Sequence, residues 1–312
     1  MSWQPADDPE CKNARDDGAI ILVITPKEHD IGGLVVRRAL PSSQRRSVGP
    51  FVFLDQMGPA VFKPGQGIDV RPHPHIGLAT ITYLYDGVIS HKDSLGFDQD
   101  IRPGEINWMT AGRGIVHSER TPGDVRAAGG PLFGLQAWVA LPIADEETAP
   151  SFVHYPAEDL PRWRDGGAEV ALIAGTMAGR TSPVDFFSPI FYADLRLAAG
   201  AAFTLPSDHA ERAAHVAEGR VTIDGQTFQA GQTVIFREGP DVTLTAEAAA
   251  KVMVLGGAPL DTVPGARPNQ PRYMFWNFVS HSADRIEQAK DDWKNGRFDM
   301  VPGDDEFIPL PE

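Results

Sequence analysis

Two short pairs constrain this chain more than any other feature: His73-Pro74-His75 and, further on, His117-Ser118-Glu119. Each pair sets two metal-capable side chains at i and i+2. In a β-strand, residues two apart point to the same face. Two such strands facing each other aim three imidazoles and one carboxylate at a common point. That donor set suits a divalent first-row transition metal. The neighbouring runs Thr80-Ile81-Thr82-Tyr83-Leu84-Tyr85 and Glu105-Ile106-Asn107-Trp108-Met109 read as strands. The expectation is an all-β chain in which a small barrel holds a metal.

Glycines fix the spacing. Five residues separate Gly67 from His73, four separate His75 from Thr80, and six separate Thr80 from Gly87. This resembles the first cupin motif, with Thr80 where most cupins place Glu. Gly114-Ile115-Val116-His117 resembles the end of the second cupin motif, and Glu119 stands in for the missing carboxylate. Pro50 to Asp55, Arg71 to Gly77, His91 to Gly96 and Met109 to Glu119 together resemble the pirin family, densely over residues 30–140. The resemblance implies two tandem cupin domains, each a jelly-roll β-barrel, packed together and followed by a C-terminal helix.

The rest of the chain is read on that basis. Residues 1–18 are taken as a loosely packed arm, 19–145 as the N-terminal metal-binding cupin domain and 150–270 as a C-terminal cupin domain. Residues 271–312 are taken as a helix and an acidic tail. The acidic stretch from Pro142 to Ala149 is the expected linker. In the second half Leu205-Pro206-Ser207 falls where His73-Pro74-His75 falls in the first, so the metal ligands are absent there. His209 and His215 have no His-x-Glu partner and are assigned structural or surface roles. Ser282 is an expected N-cap for a helix that places Ile286, Ala289 and Trp293 on one stripe.

Charge and cysteine usage narrow the function. The net charge is −14, with 14 Lys and Arg against 19 Asp and Glu in residues 1–150 and 14 against 23 beyond. Neither half is basic, which disfavours direct binding to nucleic acid. The single Cys11 excludes an intramolecular disulfide and predicts a reducing, cytoplasmic setting. The polar, acidic N-terminal segment lacks the apolar stretch of a secretory signal, and no apolar run is long enough to span a membrane.

The expected ligands are therefore His73, His75, His117 and Glu119. Four protein ligands on an octahedral ion leave two positions for exchangeable groups, unlike a closed structural zinc site. Asp55, Asn107 and Ser118 are candidate partners for the imidazoles. His91-Lys92-Asp93-Ser94 is read as a loop at the barrel mouth. Trp108 and Met109 are assigned to the core, and Phe53 and Leu54 to the cavity wall.

Resemblance to pirins implies Fe(2+), while the sequence leaves other divalent transition metals open. It further implies a quercetin 2,3-dioxygenase-type reaction, in which O2 opens the ring of a flavonol-like or enol substrate, with Glu119 as catalytic base. The alternative is a non-enzymatic iron-binding redox sensor or transcriptional co-regulator that acts through a protein partner. A monomer is expected, because the two barrels pack against each other.

Overall fold

A computed structural model of the chain describes residues 7–14, 18–30, 34–260 and 272–311. The expected arm at 1–6 and 15–17 and the expected boundary at 270 lie outside the described residues. Among the described residues the fold is two β-barrels back to back. The first barrel pairs a seven-stranded sheet with a four-stranded one. The larger sheet runs Ser151–Tyr155, Ile106–Thr110, Leu78–Asp86, Gly130–Ala140, Phe51–Phe62, Val35–Leu40 and Glu28–Asp30. The smaller runs Asp69–His75, Ile115–Arg120, Ile89–Asp93 and Asp98–Ile101.

Both faces of the large sheet are covered, which explains its nearly continuous apolar strands. Along Leu78–Asp86, Ile81 and Tyr83 face the second barrel, where Ile173, Tyr192, Met253 and Leu255 complete one shared core. The alternate residues Thr80 and Thr82 turn into the first barrel. Tyr83 also donates its hydroxyl to the buried Asp194 at 2.9 Å, joining the two barrels by a polar contact. A second link runs from His215 Nε2 to Gln56 Oε1 at 2.8 Å, while His215 Nδ1 meets Thr233 Oγ1 at 2.8 Å.

The second barrel repeats the small sheet in the same order: Ala202–Leu205, Val242–Ala246, Arg220–Ile223, Gln226–Gln229. Leu205 lies opposite Val242, and both belong, with Leu244, to an apolar interior. Hydrocarbon thus fills the place that histidines occupy in the first barrel.

The N-terminal part differs from expectation. Glu10–Asn13 is a strand, antiparallel to Ile20–Thr25, not a loose arm. Ile20–Thr25 in turn pairs with Thr233–Phe236 of the second barrel, not with the first barrel to which residue 19 onward was assigned. The physical reason is an edge. Thr233–Phe236 would otherwise present unpaired backbone groups, and Ile20, Leu22 and Ile24 alternate inward onto the apolar cores there.

The linker also does more than connect. Glu146 is buried, forms an ion pair with Arg272 at 2.7 Å and accepts from Ser280 Oγ at 3.0 Å and from the His281 backbone. It ties the junction to the C-terminal segment.

That segment docks on the first barrel. The hairpin Tyr273–Phe275/Phe278–Ser280 approaches the end of the histidine strand, where Val279 N–H donates to Ile76 C=O at 3.2 Å. Gly77 permits this approach: its φ is +69°, and a Cβ would lie 1.9 Å from Val279 O. The helix Ala283–Lys294 is capped by Ser282, whose hydroxyl accepts from Arg285 N, and it buries Ile286, Ala289 and Trp293. Trp293 meets Trp276, Phe298 and Phe307 and donates to Ile308 C=O at 3.0 Å. Trp293→Ala is expected to cost about 3–5 kcal/mol. The check is the urea midpoint, and an unchanged midpoint would contradict this packing.

Candidate metal centre

The strand Asp69–His75 is the edge of its sheet, which is why it tolerates Pro72 and Pro74 on either side of His73. Its outer side is closed by the C-terminal segment: Ile308 N–H donates to Pro72 C=O at 2.8 Å. Alternation then sets the faces. Ile76 and Val116 point outward into an apolar cluster with Trp276, Phe278 and Trp293. His73, His75, His117 and Glu119 are buried on the inner side. His117 lies directly opposite His73 in the antiparallel ladder. A bulge follows, so Glu119 lies opposite Val70.

One ligand-capable nitrogen from each of His73, His75 and His117 lies within 4.8 Å of the others. Ring centroids are separated by 5.1 Å for His73 and His75, 4.4 Å for His73 and His117, and 5.0 Å for His75 and His117. The Nε2 atoms of all three are buried without a hydrogen-bond partner. Orphaned buried nitrogens are costly unless something else satisfies them. Burial holds the rings neutral: it lowers the His73 pKa to about 3 and those of His75 and His117 well below the usual range. Neutral imidazoles with unshared Nε2 lone pairs are what a divalent cation requires. The residues present therefore fit a metal.

Glu119 lies outside the compact histidine group but inside the same barrel. Its Oε1 accepts from Thr82 Oγ1 at 3.2 Å and from Gln136 Nε2 at 3.1 Å. Thr82 stands two residues after the Thr80 that replaces the usual cupin Glu, and Gln136 comes from the adjacent strand. Trp138 packs edge-on to His75 at 5.1 Å and stacks on Phe53 at 4.0 Å. Phe53, Met109, Ile115 and Phe152 share its apolar cluster.

Several sequence assignments shift. Asp55 pairs with Arg38 in a buried two-pronged contact at 2.8 and 2.9 Å, and Asn107 accepts from His154, outside the three-histidine group, at 2.8 Å. Ser118 is buried on the strand between two inward residues. Leu54 faces the second barrel, because it alternates with the inward Phe53.

His91 and Asp93 are the residues that sequence reasoning missed. They lie on the strand Ile89–Asp93, not in a loop. His91 Nδ1 is 3.3 Å from His117 Nδ1, and His91 Nε2 is 3.0 Å from Asp93 Oδ2. The signal was present as His-x-Asp, the same i, i+2 spacing as the two other pairs.

Two family models match the chain: Pirin over residues 33–139 and Pirin C-terminal cupin domain over residues 192–299. A pirin-like protein of Caulobacter vibrioides is 50% identical over 298 residues, 94% of this chain and 100% of that protein. A crystal structure of quercetin 2,3-dioxygenase from Acinetobacter baumannii superposes with a TM-score of 0.85 at 33% identity, covering 93% of this chain and 94% of that chain. A bacterial pirin from Escherichia coli, solved in complex with nickel(II), has the same fold at a TM-score of 0.60 and 19% identity, over 75% of this chain and 96% of that one. With a buried three-histidine group in the first of two cupin barrels and these matches over both, the chain belongs to the pirin family.

Proposed function

We propose that this chain is an iron(II)-dependent dioxygenase that opens the ring of flavonol-like substrates with O2 and releases carbon monoxide, the reaction type of quercetin 2,3-dioxygenase. One observation carries the reading: three neutral, buried imidazoles converge with unshared Nε2 atoms beside a buried carboxylate. The likeness to the Acinetobacter baumannii quercetin 2,3-dioxygenase supports the reaction class.

In this reading His73, His75 and His117 would hold the ion, with Glu119 as the expected fourth ligand. Iron(II), when bound, supplies Lewis acidity toward the deprotonated 3-oxygen of a flavonol and one-electron chemistry with O2. Glu119 takes the proton of the 3-hydroxyl at its carboxylate, with Thr82 and Gln136 fixing the carboxylate through Oε1. Trp138, Phe53, Met109 and Phe152 supply an apolar wall that accepts a planar aromatic and excludes water.

The test is O2 uptake and CO release by the iron-loaded protein with quercetin. Glu119→Gln is expected to lower kcat by about 10²–10⁴-fold if Glu119 moves the proton. Stoichiometric iron with neither O2 uptake nor CO release would overturn the enzymatic reading. It would favour a redox sensor, for which the relevant feature is the direct contact between the C-terminal segment and the outer side of the histidine strands. Among the described residues no helix is long and apolar enough to cross a membrane.

A further inference from the structure

We propose that Asp93 and His91 form a hydrogen-bond relay that fixes the tautomer of His117 and thereby sets the metal affinity of the three-histidine group. The proposal rests on the reading that His73, His75 and His117 bind a metal. It does not depend on which reaction follows. Both residues are positioning residues, acting through His117.

The directions of the hydrogen bonds follow from the end of the relay. A carboxylate only accepts, so His91 Nε2–H donates to Asp93 Oδ2 at 3.0 Å. A neutral imidazole with its proton on Nε2 has a lone pair on Nδ1. That lone pair accepts from His117 Nδ1–H at 3.3 Å. His117 is then left with an unprotonated Nε2, the buried nitrogen without a partner that faces the other two rings. His73 reaches the same state by a shorter route, since its Nδ1–H donates to the Arg71 carbonyl at 2.8 Å and leaves Nε2 unshared. An outer carboxylate or carbonyl behind a ligating imidazole raises its donor strength as well as orienting it.

The surroundings hold the relay in place. His91 is buried and stacks on Phe152, with centroids 4.3 Å apart and planes at 13°. The ladder sets Asp93 opposite His117 and His91 opposite Glu119, so the strand Ile89–Asp93 places both residues against the ligand strand. Asp93 divides its two oxygens. Oδ1 accepts from the backbone N–H groups of Leu95 and Phe97 at 2.9 and 3.2 Å, while Oδ2 serves His91. The backbone contacts alone would make Asp93 a turn residue. The Oδ2 contact is what ties it to the histidine group.

This division supplies a discriminating substitution. In Asp93→Asn the carbonyl oxygen can still accept from Leu95 and Phe97, which leaves the amide nitrogen facing His91. His91 Nε2 must then accept, its proton moves to Nδ1, and His117 is driven to carry its proton on Nε2. A ring protonated there cannot ligate. A turn role predicts no change in metal affinity from this variant, whereas the relay predicts a loss.

The experiment titrates the metal-free full-length protein with cobalt(II), reading the visible ligand-field absorption and the affinity by chelator competition. Asp93→Asn and His91→Phe are expected to weaken cobalt binding by about 10–100-fold. Phe keeps the stack on Phe152 but breaks both hydrogen bonds. His91→Gln, which can accept from His117 and donate to Asp93, is expected to restore binding close to wild type. The melting temperature of each metal-free variant reports folding separately, and should Asp93→Asn fail to fold, the His91→Phe and His91→Gln pair decides the matter in an intact turn. Unchanged affinity in Asp93→Asn and His91→Phe would overturn the relay. Failure of the wild-type protein to bind cobalt would instead overturn the metal reading beneath it.

Discussion

Replacing both His73 and His75 by alanine is expected to abolish stoichiometric binding of iron(II) or cobalt(II) and, with it, any thermal stabilisation by metal. Two of the three unshared Nε2 donors disappear, and His117 with Glu119 cannot make a comparable site. A metal that binds only the folded chain stabilises it by about 2.7 kcal/mol at a free concentration of 100 times Kd. The wild-type melting temperature should therefore rise on metal addition and fall back on chelation. The double variant should show neither change. Retention of wild-type metal content in the double variant would place the site elsewhere in the chain.

Acidification is expected to destabilise the metal-free protein steeply between about pH 6.5 and pH 3. His73 and His215 are each lowered to about 3, chiefly by burial, and His75 and His117 are shifted in the same direction. A histidine in the unfolded chain titrates near 6.5. As pH falls below that value the unfolded state takes up protons that the folded state refuses, so stability is lost. The loss continues until the folded pKa is reached. Each such group removes up to about 1.4 kcal/mol per pH unit, the full slope being reached below about pH 5.5. For His73 and His215 alone, going from pH 6.5 to pH 5 takes away about 3 kcal/mol, a large part of a total stability of about 5–15 kcal/mol. Urea midpoints at pH 7, 6 and 5 check the slope. A flat profile over that range would mean that these rings accept protons in place.

The grouping of His73, His75 and His117 was legible because a strand has a period of two, and His-x-His with His-x-Glu states that period in metal-capable residues. In the second half the corresponding positions hold Leu205 and Ser207, but the apolar packing around Leu205 emerged only with the structure. What stayed hidden depends on register between distant strands. Gln136 reaches Glu119 only because Gly130–Ala140 lies beside Leu78–Asp86 with Gln136 opposite Thr82. Nothing local marks Arg272 as the partner of Glu146, so the acidic stretch read only as a linker. Ile20, Leu22 and Ile24 announce an amphipathic strand, but alternation does not say which sheet has an open edge for it. His91 and Asp93 were a different kind of miss. Their spacing was visible, and they were weighed as neighbours in a row when they should have been weighed as two residues on one face.

The chain crosses over itself at both ends of the described structure. Ile20–Thr25 completes the second barrel, and Asp304 and Ile308 close on Arg120 and Pro72 of the first. On a ribosome, the first barrel must therefore wait for a segment from the far end of the message, while the second finds its distant strand already made. The early strand has no sheet to join until Thr233–Phe236 emerges, and the outer side of the histidine strand stays bare until residue 308 has been made. Domains usually fold in order of synthesis. Here the histidine strand of the first barrel gains its outer hydrogen bond only after the second barrel has been made, and a cut between the barrels would part Ile20–Thr25 from the sheet it joins.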